Sequence, residues 1–194
     1  MRRAVPPFWA CAVPFALLVA GTACGPSASG PNSVSASYWP VWDDTSRTLF
    51  DDQIEPAAVG LSLDVEPITQ DRRFAERVRR AELVSRFRVQ TVTREAMGQR
   101  RRYRLTLQVG RPPFLVQGFT ADVINLTIAE TAPSFGVVAS LDTRLRGKVL
   151  IGFVRRFAGE PGGEPEVHFH FAADSEEIAE AIQQQVALEG LGAR

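Results

Sequence analysis

Three side chains able to ligate a metal or move a proton alternate near the C-terminal end of the chain: Glu166, His168 and His170. On an extended strand, residues two apart share a face. Two imidazoles and one carboxylate on one face can reach a single Zn²⁺. These are also the only 2 histidines in the 194-residue chain. The competing reading makes them the polar outer face of an edge or hairpin strand, with Val167, Phe169 and Phe171 in the core. No third histidine, cysteine or downstream ligand motif joins them. The outer-face reading is therefore the expectation, and the metal set Glu166, His168 and His170 the alternative.

Two charged groups come next. Asp43, Asp44, Asp51, Asp52, Glu55 and Asp64 form an acidic cluster without the D-x-D-x-D-G loop that Ca²⁺ requires, so helix caps and solvated charge are expected. Residues 43–70 hold seven acids and one arginine, whereas residues 71–104 hold twelve arginines and four acids. If residues 83–94 and 101–109 pair as a hairpin, Arg86, Arg88, Arg94, Arg102 and Arg104 share its outer face. Like charges side by side across strands cost stability unless an anionic group covers them. That cover is either the acidic 43–64 segment of the same chain or an external partner: an envelope protein, an anionic lipid headgroup or a glycan. Nucleic acid is excluded by the overall net charge of zero together with an export leader. The motifs G-x-S-x-G, S-x-x-K and H-E-x-x-H and a phosphate-cradling glycine loop are all missing, so no catalytic or cofactor-binding residue is assigned and a non-enzymatic role is expected.

The leader is read from Arg2-Arg3, an apolar run Phe8–Ala20, the small residues Gly21-Thr22-Ala23, and Cys24. The run is too short for a membrane span, which needs about 20 residues. Its order resembles the signal of bacterial lipoproteins. That resemblance covers residues 1–24 and implies acylation of the sulfur of Cys24, the residue that would become the new N-terminus. Gly21-x-Ala23 also fits an ordinary signal peptidase, which would leave Cys24 unmodified and the protein soluble in the periplasm or secreted. Cys11 lies inside the leader, so the mature chain has one cysteine and no internal disulfide. Gly25 rather than Asp after the cysteine favours the outer membrane by the same resemblance. Residues 1–23 are thus expected to be a signal peptide, 24–37 a flexible tether, and 38–194 a single globular domain.

The elements that position these residues follow from periodicity. Thr45 or Ser46 caps a short helix reaching Ile54, and a second helix starts at Asp71 with Phe74, Val78 and Ala81 on one face. Ser85, Phe87, Val89 and Thr91 form one strand face and Tyr103, Leu105, Leu107 and Val109 a second. Strands follow near 121–129, 149–157 and 166–171, with a short helix over 134–141. Asp174 and Glu177 cap a C-terminal helix whose core face is Ile178, Ile182 and Val186. The fold class is α+β: a small five-stranded antiparallel sheet, or an OB-like barrel, with flanking helices. The barrel is a resemblance of connectivity alone.

Overall fold

The computed structural model describes residues 39–61, 67–98 and 100–192. The residues expected to form the leader and tether, Cys24 among them, and Asp64 lie outside the described residues. The fold is α+β, with four helices on an open sheet. The strands are β1 (Gln53–Ile54), β2 (Leu83–Met97), β3 (Arg100–Val109), β4 (Leu115–Val116), β5 (Val123–Ala129), β6 (Val149–Phe157) and β7 (Glu166–Ala173). The helices are α1 (Asp44–Leu49), α2 (Phe74–Arg80), α3 (Phe135–Leu145) and α4 (Glu176–Gly192). No described helix is long and apolar enough to cross a membrane.

Sheet order is β1-β7-β6-β2-β3-β5, with β4 also paired to β2. The five long strands are those expected from the sequence, and all their mutual pairings are antiparallel. Two short strands are added: β4, and β1, which lies parallel on the free edge of β7. Because β5 and β7 do not pair, the sheet is not closed into a barrel.

Two cores form on opposite faces. Alternation on β2, β3 and β5 sends Phe87, Val92, Leu105, Leu107, Ile124, Leu126 and Ile128 into one, where Val138 and Leu145 of α3 and Ala58 and Val59 cover them. Strand β6 contributes to both: Leu150 and Val154 enter this core, while Ile151, Phe153 and Phe157 enter the other, under Leu49, Phe50, Phe74, Val78 and Ile182. At Gly152, on the face of β6 that meets the first core, an added Cβ would sit 2.2 Å from the Phe171 ring and 2.7 Å from that of Phe87. Only glycine fits this approach.

Several expectations are corrected locally. Asp43, not Thr45 or Ser46, caps α1 by accepting from Ser46 N at 2.8 Å, and the helix stops at Leu49. Ser175 Oγ accepts from Ile178 N at 3.3 Å, so the α4 cap is Ser175, and Asp174 instead meets Arg86. A bulge between Val89 and Thr91 reverses side-chain parity along β2. Thr91 therefore faces solvent and Val92 the core.

Candidate functional site: a two-armed groove along strand β5

The histidines stand on one face of β7, as alternation dictates, but they are not an exposed polar face. His168 is 7% and His170 5% exposed. The acidic segment between α1 and residues 56–59 closes over them. Nδ1 of His168 donates to Asp52 Oδ2 at 2.9 Å, and Nδ1 of His170 to Asp51 Oδ1 at 2.8 Å. Nε2 of His170 lies 3.2 Å from Glu55 Oε1. Asp52 also exchanges two backbone-level bonds with Phe169, one through its N–H and one through Oδ1. Its φ of 55° places it in the left-handed region, which aspartate tolerates better than most residues.

Burial opposes a charge on His170, but its hydrogen bonds to the Asp51 and Glu55 carboxylates outweigh it and hold its pKa above the ordinary 6.5. Burial raises the pKa of Asp52 against the counteracting His168 contact. Trp42 stacks on His168 with ring centroids 3.6 Å apart, and the Arg47 guanidinium lies over its indole. Nε2 of His168 is buried without a hydrogen-bond partner, and the Glu166 carboxylate stands 3.6 Å away.

The alternative metal set, Glu166, His168 and His170, does not converge with all three members free to ligate. Both ring nitrogens of His170 already meet carboxylates, leaving only His168 and Glu166 with free capacity. Among the described residues no group of three or more histidine, cysteine, aspartate or glutamate side chains is arranged to hold a metal ion.

The arginines separate because of the β2 bulge. Arg94 pairs across from Tyr103, whose ring enters the core, so it leaves the face of Arg102 and Arg104. Arg86 binds Asp174 at 2.8 Å and Glu176 at 3.4 Å beside the start of α4. Arg102 and Arg104 share Glu95, at 2.6 and 2.9 Å. The acidic 43–64 segment, expected over these arginines, is instead occupied with the histidines as far as it is described. Arg88, Arg94 and Arg100 are exposed and make no ion pair among the described residues.

Two hollows border β5. One, of about 560 Å³, lies between the facing edges of the sheet and is lined by Trp42, Asp51, Asp52, Asn125, Glu166 and His168, among others. The second, of about 690 Å³, is lined by Arg100, Arg101, Arg102 and Glu130. Thr127, Ala129 and Thr131 line both, so the hollows are arms of one groove. One arm carries three carboxylates and no arginine or lysine, the other three guanidiniums and one carboxylate. Sequence patterning identified His168, Glu166 and Arg102, but not the pairing of Asp51, Asp52 and Glu55 with the histidines, which spans more than a hundred residues. No family model, curated protein or solved structure matches the chain.

Proposed function

We propose that this is a bacterial cell-envelope protein, lipid-anchored through Cys24, that acts by binding anionic groups rather than by catalysis. The observation that carries the binding half is the distal end of the β2–β3 hairpin. Arg94 and Arg100 are exposed there without a carboxylate partner among the described residues, beside Arg101, Arg102 and Arg104, which share only Glu95 and Glu130. Arginine's planar fork suits phosphate and carboxylate oxygens. The anchoring half is supported by the order of residues 1–24. The outer membrane is its expected site, and a soluble periplasmic or secreted form the alternative.

The test uses protein recovered from envelope fractions. The mass of the mature N-terminal peptide is expected to show diacylglyceryl and acyl groups on Cys24; an unmodified cysteine overturns the anchor. Retention on immobilised anionic glycan or phospholipid is expected to drop several-fold in an Arg94→Gln, Arg100→Gln variant and to fall with salt. Unchanged retention overturns the binding half.

A second reading, an exported metal-binding protein or metal-dependent enzyme, is favoured by the partnerless Nε2 of His168 facing Glu166. It is weakened by the engagement of His170. Stoichiometric zinc or copper in untagged protein would establish it.

A further inference from the structure

The two arms of the groove along β5 carry opposite charge, and this bears on what the groove holds. In the arginine arm, Arg101 meets Glu130 at 2.8 Å, Arg102 shares its acid with Arg104, and Arg100 meets none. A positive excess remains that one doubly charged anion would offset. In the other arm, Asp51 and Asp52 are taken up by histidines, but the Glu166 side chain is 57% exposed and its carboxylate meets only His168 among the described residues, at 3.6 Å. With the Nδ1 proton of His168 directed at Asp52, a neutral ring leaves Nε2 as an acceptor. Glu166 and Nε2 are thus two acceptors without a donor, and Nε2 belongs to a side chain more than nine-tenths buried. A buried acceptor left unpaired is costly, so this arm calls for a group rich in N–H. Between the arms, Thr127 and Thr131 offer hydroxyls.

We infer that the groove binds a small zwitterionic group, a phosphate joined to a primary ammonium, with the phosphate on Arg100–Arg102 and the ammonium on Glu166 and His168. The inference rests on the anionic-binding reading for its first arm and adds the second. A phosphate monoester suits the excess of guanidinium charge better than a carboxylate. A primary ammonium, unlike a quaternary one, donates to both acceptors. The group can come free, as a phosphomonoester that offsets the whole excess, or as the headgroup of a membrane lipid, whose diester phosphate carries one negative charge and offsets half of it.

Calorimetric titration of the mature protein with O-phosphorylethanolamine, with inorganic phosphate and with ethanolamine tests this. The zwitterion is expected to bind about tenfold tighter than phosphate, through the added charge-assisted contacts. Glu166→Gln should remove that margin and leave phosphate affinity unchanged. Arg100→Gln should weaken both about tenfold. Both residues are exposed, so neither change threatens the fold. Equal affinity for zwitterion and phosphate, or indifference to Glu166→Gln, overturns the inference. If retention on anionic supports still depends on Arg94 and Arg100, the anionic-binding reading survives that failure. Soluble dihexanoyl phosphatidylethanolamine separates the sources: binding assigns the headgroup to a lipid, and binding of the monoester alone assigns a free phosphomonoester.

Discussion

Strands β6 and β7 are covered on both faces, whereas β3 and β5 are covered on one. The difference is visible residue by residue. Burial on β6 is almost continuous from Leu150 to Val154, while on β5 it alternates strictly, with Ile124, Leu126 and Ile128 in and Val123, Asn125, Thr127 and Ala129 out. Helices α1, α2 and α4 account for the contrast, because they pack over only one end of the sheet. The lesson is a division of labour. The doubly covered half holds the fold and fixes the histidines, and the half left bare on one side presents arginines, threonines and glutamines to the surroundings.

The contrast can be broken by substitution. Phe153→Ala removes a fully buried ring from the helix-covered face of β6 and should cost about 4 kcal/mol in denaturant unfolding. A cost under about 1 kcal/mol would mean that the helices do not seal this half as described. Asn125→Asp, on the outward face of β5, should stay within about 0.5 kcal/mol. A large loss there would mean that something covers the bare face.

Between these extremes lies the pH response, which sharpens the comparison because both histidines sit in the covered half. His170 binds its proton more tightly folded than unfolded. Its contribution to stability is therefore complete below pH 6.5 and is lost as pH rises through the raised folded value. Asp52 acts in the same direction: the folded state retains its proton above the ordinary 3.8, so its contribution also declines with rising pH. The melting temperature should fall from pH 6 toward pH 9, and the part of the fall due to His170 should vanish in His170→Gln. A melting temperature that rises over this interval would reverse the assignment. Arg77, buried nearby with Nε on Leu49 O at 2.8 Å, and the Phe153 ring complete the surroundings of His170.

Much of this architecture was legible before any coordinates. Strand β6 spans Val149–Phe157 as the sequence predicts, and β3 directs Tyr103, Leu105, Leu107 and Val109 inward as their spacing requires. Other features had no local signal. Nothing in Val89-Gln90-Thr91 marks a bulge, yet the extra residue there moves Arg94 to the opposite face and divides the arginine row. Helix α1 stops early because Phe50 and the left-handed Asp52 turn the chain into β1. The meeting of Asp51, Asp52 and Glu55 with the histidines follows from β1 lying beside β7, a choice of partner that short-range patterning does not contain. The groove was likewise invisible, since its walls come from segments between positions 42 and 168.

Strand β1 is only two residues long, yet it occupies the hydrogen-bonding edge of β7, whose side chains run His168-Phe169-His170-Phe171. Uncovered, that edge would be an aromatic, β-prone template with few charges of its own, the kind along which chains add to one another. The segment that follows the first described residues therefore also acts as a guard against self-association. Proteolytic loss of residues up to Glu55 would yield a species prone to strand-to-strand aggregation rather than a shortened monomer.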